Sequence, residues 1–222
     1  MEVADNLNHV LAELPEGVRL VAVSKFHPVG AIREAYEAGQ RRFGESRVME
    51  LLDKIPQLPA DIEWHFIGHL QTNKVRKLIG HTALIESVDS ERLLDLIDDE
   101  SRRAGVVTRI LMQLHVAREE TKFGFYPEEL LEYFREERFS KLTNTHICGV
   151  MGMASNTEDE ARVLEDFRTI HNTFQKIRET TEGLRGFDIV SMGMSHDWPL
   201  AVAEGANVVR IGSAIFGDRA YK

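Results

Sequence analysis

Arg19-Leu-Val-Ala-Val-Ser-Lys25-Phe-His-Pro28 is the stretch on which the fold turns. Leu20 to Val23, followed by Ser24, forms a run of apolar or small residues. Such a near-continuous run marks a strand buried on both faces, as in a parallel sheet lying under helices. The run ends at Lys25, and Pro28 then stops the strand and opens a helix over 31–38. A lysine at the carboxyl end of a buried strand stands where α/β barrels place their chemistry. Desolvation there disfavours the ammonium form, so the neutral amine becomes available to attack a carbonyl. Taken alone, a lysine that reaches from the strand end to water is the simpler account of Lys25. The rest of the chain changes that balance.

Strand and helix signals alternate outward from this stretch. Further strands are expected over 41–44, 62–67, 83–88, 108–115, 145–151, 187–192 and 206–211. Between them, helices are expected from a Ser46 cap to about Lys54, over 73–79, from a Ser90 cap over 91–104, from Tyr126-Pro127, over 158–179 and over 198–204. Residues 1–14 alternate acidic and apolar positions like an amphipathic helix. Eight strand–helix alternations in 222 residues, with no linker and no repeat, predict an α/β fold. The expected form is a single-domain (β/α)8 TIM barrel over 1–222. A doubly wound open sheet is the alternative.

Lys plus Arg is 27 against 36 for Asp plus Glu, a net charge of −9, which argues against nucleic acid as the main partner. Cys148 is the only cysteine, so no intrachain disulfide can form. It lies within an apolar strand, where a small buried hydrophobe is expected rather than a reactive thiol. The N-terminus lacks a signal-peptide profile and no apolar run is long enough to span a bilayer. A cytoplasmic protein with no membrane partner is the expectation.

The chemistry concentrates at the ends of the last two strands. Ser191-Met-Gly-Met-Ser195 leaves the seventh strand and Arg210-Ile-Gly-Ser213 leaves the eighth. Each supplies a glycine, which lets backbone approach a ligand closely, and a hydroxyl beside backbone N–H groups. Barrels commonly bind phosphate at these two loops, where helix N-termini carry unpaired donors. One such cup could be plain capping by Ser195 or turn chemistry at Gly212. Two at adjacent strand ends, in a chain with a strand-end lysine, point to a phosphate.

Val21-Ala-Val-Ser-Lys25, Phe43-Gly-Glu45, Trp64-His-Phe-Ile-Gly68, Leu70-Gln-Thr-Asn-Lys74, Ser191-Met-Gly-Met-Ser195 and Val209-Arg-Ile-Gly-Ser-Ala-Ile-Phe-Gly217 run in order along the chain. In these segments the chain resembles the pyridoxal-phosphate homeostasis protein family, whose members look like the barrel domain of alanine racemase. The resemblance implies pyridoxal 5'-phosphate (PLP) as cofactor, held as a Schiff base on Lys25. It also implies that Met194, Ser195, Gly212 and Ser213 hold the phosphate and that Arg210 faces the pyridine nitrogen. The function implied is that of a monomer that carries PLP and supplies it to apo-enzymes, with no catalytic residue of its own. Three departures stand out. Ser46-Arg47 replaces the usual Asn-Tyr, Gly149-Val-Met-Gly-Met153 replaces Gly-Leu-Met-Ala-Ile, and His69 replaces a common proline.

The competing function is an amino-acid racemase using the same Schiff base. Racemisation needs acid/base groups on both faces of the α-carbon, and Lys25 serves one. In two-domain racemases the other comes from outside the barrel, and a chain ending at Lys222 is expected to lack it. Arg210 stays protonated, leaving the ring nitrogen neutral and the ring a poorer electron sink. Racemases share that arginine, so the expected lack of a second domain is what favours the carrier. Among other residues, His65 and His69 have metal-ligand spacing but straddle a strand and a turn, with no nearby Cys or carboxylate that completes a zinc set, so no metal is expected. Met151, Met153, Met192 and Met194 could equally line a pocket or fill core. Lys122, in a polar excursion, is read as a solvated charge with a possible part in relaying an aldehyde, and 128–137 as an exposed acidic helix face.

Overall fold

The computed structural model describes residues 2–118 and 123–217. Lys122 therefore lies outside the described residues. The strands β1 (Arg19–Val23), β2 (Arg42–Glu45), β3 (Glu63–Phe66), β4 (Leu84–Val88), β5 (Thr108–Leu114), β6 (Thr145–Gly152), β7 (Ile189–Ser191) and β8 (Val208–Ile211) pair in chain order. All pairings are parallel. Closure is made by β8 on β1, with Arg19 opposite Val208 and Ala22 opposite Ile211. That pairing excludes the open doubly wound sheet and leaves the barrel.

Alternation along each strand divides the apolar residues between two cores. Val21, Leu84, Leu111, Cys148, Met151, Ile189 and Val208 fill the inside of the barrel. Their neighbours, such as Leu20, Ala22, Phe43 and Val209, face the surrounding helices. Those helices are α1 (Glu2–Glu13), α2 (Val29–Glu37), α3 (Val48–Lys54), α4 (Val75–Leu78), α5 (Glu91–Ala104), α6 (Pro127–Arg135), α7 (Glu160–Thr180), α8 (Trp198–Ala203) and α9 (Ser213–Phe216). The expected N-terminal helix is α1. It buries Leu7 and Val10, and its Asn6 Nδ2 donates to the Ile215 carbonyl of α9 at 3.2 Å. Among the described residues no helix is long and apolar enough to cross a membrane.

Two local expectations meet different outcomes. Ser90 caps α5 as read, its hydroxyl accepting from Leu93 N at 3.4 Å. Ser46 does not cap α3, whose capping position is Arg47, in an extended conformation and without a side-chain cap. The cause is continued pairing past β2: Ile67 N donates to the Glu45 carbonyl at 2.9 Å, so the chain stays extended and the helix starts later. Ser46 backbone then lies against Gly68, where an added Cβ would come within 2.2 Å of the Ser46 oxygen.

Candidate functional site

Lys25 stands in the turn just past the carboxyl end of β1 and is half-buried. The strand register extends one residue into the turn, because Ser24 N donates to the Gly44 carbonyl at 3.0 Å. His27 N then donates to the Ser24 carbonyl at 3.1 Å, closing a tight turn around Lys25. Phe26 pays for that tightness with a left-handed backbone, φ 67°. A buried polar cluster holds it there. Phe26 N donates to Glu50 Oε1 at 2.6 Å, and Arg47 lays its guanidinium 4.6 Å from the Phe26 ring centre. Lys54 Nζ donates to the Ser24 carbonyl at 3.0 Å, to Glu45 Oε1 at 2.8 Å and to Glu50 Oε1 at 2.7 Å. Ser24 Oγ donates to Glu45 Oε1 at 2.6 Å. Arg47, a departure from the family pattern, thus braces the lysine turn.

Burial pushes the Glu45 carboxyl above the usual carboxylate range, and Lys54 and Ser24 offset this only in part. Its second oxygen is buried without a hydrogen-bond partner among the described residues. Lys54→Met leaves that carboxylate without its cation and should cost roughly 2–3 kcal/mol. The sign with pH follows: a folded-state carboxyl that binds its proton more tightly than the unfolded one loses stability as pH rises. Denaturation midpoints of the variant should therefore fall further below wild type at pH 8 than at pH 5. An equal loss at both values would detach Glu45 from the effect.

The two expected cups lie beside this turn, since β7, β8 and β1 are successive neighbours in the closed barrel. Gly193 has φ 92°, and a Cβ there would come within 2.6 Å of the Ala201 Cβ, so the exit from β7 tolerates only glycine. At Gly212 a Cβ would come 3.1 Å from the Val23 carbonyl oxygen, so the second loop runs tight against the end of β1. Hydrogen bonds link the cups: Arg210 N donates to the Gly193 carbonyl at 3.0 Å, and Ser195 Oγ accepts from Gly212 N at 3.2 Å. Ser195 is thus a bridge between loops rather than the cap of α8, whose capping position is Asp197. Ser213 is exposed at the start of α9, and Met194 is exposed with its N–H donating to Asp197 Oδ1 at 2.6 Å.

Beneath the rim runs a polar column that the sequence did not disclose. Arg210 is buried inside the barrel, donating from Nη1 to Ser191 Oγ at 2.7 Å and from Nη2 to the Gly152 carbonyl at 3.0 Å. Ser191 Oγ in turn donates to Glu86 Oε2 at 2.6 Å, and Glu86 Oε1 lies 2.5 Å from His65 Nδ1. Burial lowers the Arg210 guanidinium from its usual range while Glu86 and Asp197 oppose the shift. A guanidinium remains cationic in proteins all the same. Burial alone would raise the Glu86 carboxyl, but His65, Arg210 and Ser191 together hold it below the usual range. Ser191 was visible as part of a loop motif, whereas Glu86 carried no signal beyond an acid within an apolar strand.

The remaining expectations divide. His65 and His69 each have a carboxylate close by, but separate ones: Glu86 for His65, and Asp89 at 2.8 Å for His69. His69 also stacks on Phe123, ring centres 3.8 Å apart. Met151 and Met192 are core, while Met153 and Met194 line a cavity of about 500 Å³ between the loops after β6 and β7. Cys148 is a buried free thiol inside the barrel, as expected. The 128–137 stretch is α6 only to Arg135, with Leu130, Tyr133 and Phe134 buried and the acids outward.

The profile of the family described as alanine racemase, N-terminal domain, matches residues 2–220. The pyridoxal phosphate homeostasis protein of Aquifex aeolicus is 41% identical over 209 residues, covering 91% of this chain and 88% of the relative. That of Pasteurella multocida is 33% identical over 99% of this chain and 96% of its own. The chain belongs to the pyridoxal phosphate homeostasis protein family. Two structures of PipY from Synechococcus elongatus superpose closely: without PLP the TM-score is 0.92 at 38% identity, covering 97% of this chain and all, 100%, of that one. With PLP bound the TM-score is 0.87 at 37% identity. Alanine racemase from Clostridium difficile, 15% identical, shares the fold at a TM-score of 0.76, and this chain covers 57% of it. In this family member, then, Lys25 and the loops after β7 and β8 meet at one rim of the barrel, directly above Arg210.

Proposed function

We propose that the protein binds PLP at the carboxyl rim of the barrel, as a Schiff base on Lys25, and supplies it to apo-enzymes. The observation that carries this is the convergence of three neighbouring strand ends. The end of β1 offers an amine, β7 and β8 offer paired glycine-and-hydroxyl loops, and a guanidinium lies below them. The donor set fits the cofactor. Gly193 and Gly212 let the two loops close tightly on α8 and on the end of β1. The Ser195 and Ser213 hydroxyls are donors for a phosphate, and the Met194 and Gly212 amides join them on exchanging Asp197 and Ser195 for it. Arg210 spends donors on Ser191 and Gly152 and keeps others for a ring nitrogen. When bound, PLP supplies an aldehyde that captures amines. The chain's own residues hold its phosphate, present the Lys25 amine and keep a cation against the ring. We further place it in the cytoplasm as a monomer, in keeping with its single buried thiol and its net charge of −9.

Anion binding separates the cups from ordinary turns. Ser213→Asp sets a carboxylate against the phosphate and removes a hydroxyl donor. Losing one charge-assisted hydrogen bond costs roughly 1.5–3 kcal/mol, with repulsion added. PLP affinity measured by equilibrium titration should fall by well over tenfold, while pyridoxal, which has no phosphate, should lose far less. Equal losses for both ligands would show a damaged fold instead. Transfer is tested by mixing the loaded protein with an unloaded PLP-dependent enzyme and following recovery of that enzyme's activity. Recovery no faster than with an equal amount of free PLP would remove the supply role.

A further inference from the structure

Three arginines gather at the end of the barrel opposite Lys25. Arg19 opens β1, Arg42 opens β2 and Arg109 is the second residue of β5. All three line a cavity of about 480 Å³ at the amino-terminal mouth, together with Glu63 and His65. The volume lies in the range of small-molecule sites, roughly 300–1,000 Å³. Glu63 is already engaged, its Oε2 lying 2.8 Å from Arg42 Nε. Arg19 and Arg109 are in no ion pair with another described residue. Arg109 donates from Nε to Cys148 Sγ, 3.4 Å away inside the barrel, which fixes the guanidinium over the mouth and leaves its terminal nitrogens for another acceptor. His65 turns Nδ1 to Glu86, and its Nε2 has no hydrogen-bond partner among the described residues.

In a chain of net charge −9, this concave cluster of cationic donors is the reverse of the overall balance. Guanidinium forks match tetrahedral oxyanions in geometry as well as charge, and converging ones in a cavity are suited to a phosphate rather than to a protein surface. We propose that the amino-terminal mouth is a second anion site, for a small phosphate-bearing molecule held by Arg19 and Arg109 and touching His65. The rim site does not depend on it, nor it on the rim. The ring that faces this cavity also anchors Glu86, so an occupant touches the foot of the column that ends on Arg210.

The probe is inorganic phosphate, titrated at low ionic strength into PLP-loaded protein carrying labelled histidine. The His65 ring resonances should shift and saturate, and Ser213→Asp, which impairs only the rim, should leave that shift intact. Arg19→Gln combined with Arg109→Gln should weaken the effect by at least about tenfold, since each charge-assisted hydrogen bond is worth that much or more. Should that double variant not fold, Arg109→Lys, which keeps the charge but loses the fork, should weaken it by several-fold. A shift that fails to saturate, is reproduced by chloride, or is unchanged in both variants would overturn the site. Saturation by succinate as tightly as by phosphate would overturn the assignment to phosphate.

Discussion

Replacing Glu86 by alanine should lower folding stability by about 3–5 kcal/mol at neutral pH, the usual cost of stranding one member of a buried ion pair. The carboxylate is fully buried between His65 and Ser191, and it is the anion nearest to the buried Arg210 guanidinium, 3.8 Å away. Removing it leaves that cation hydrogen-bonded to a hydroxyl and a carbonyl, with the more distant Asp197 as its remaining anion. The pH dependence follows from a carboxyl held below its usual range: its contribution is present above the unfolded-state value and is lost as pH falls through the folded one. Chemical denaturation of wild type and Glu86→Ala should therefore give stabilities that differ most near pH 7 and converge in acid. A loss under 1 kcal/mol would mean that Arg210 is solvated from another side. Glu86→Leu with Arg210→Met should recover most of the stability, because a buried pair is often replaceable by apolar residues. It should also weaken PLP binding, which separates what the column does for the fold from what Arg210 does for the ring.

The second large effect is a missing one. With L- or D-alanine in deuterated water, exchange of the α-proton should run at least 100- to 10,000-fold below ordinary enzyme rates of 1 per second or more, the margin that one absent general acid–base group leaves. Lys25 can serve one face of a substrate carbon. Two other ionisable groups at this rim are committed: His69 to Asp89 and Phe123, Asp197 to the Met194 amide. His196 is exposed beside Ser195 and lines the cavity of Met153 and Leu200. Exchange is followed by loss of the proton signal together with the change in chirality. Turnover near 1 per second would restore the racemase, and its loss in His196→Ala would then name the second base. Slow exchange that disappears in Lys25→Ala fits a competent amine without a catalytic partner.

The residues that meet at the rim were legible because their signals are local. A strand that ends in lysine, and loops whose glycines and serines sit within a few residues of a strand end, carry their meaning in consecutive positions. The barrel followed from alternation alone, and only its closure, β8 on β1, needed the structure to exclude an open sheet. The column of His65, Glu86, Ser191 and Arg210 was not legible, because its members belong to four strands, and the two halves, on β3–β4 and β7–β8, lie 105 residues apart at the Glu86–Ser191 bond. They meet only where inward-facing positions fall at the same level of a closed barrel. The Lys54–Glu45–Glu50 cluster was hidden for a related reason. Lys54 reads as the basic end of a helix, and nothing in the linear chain says that its amine folds back onto the Ser24 carbonyl. Ser46 failed as a cap because β3 continued to pair past the end of β2, a tertiary demand that overrode the local signal.

The most direct test loads the protein with PLP, reduces it with borohydride and maps the modified lysine by peptide mass spectrometry. The account predicts one adduct per chain, on the peptide that carries Lys25, together with loss of both the visible absorbance band and the adduct in Lys25→Ala. An adduct on Lys74, Lys122 or any other lysine of the unmodified protein, or a band that survives in Lys25→Ala, would contradict it.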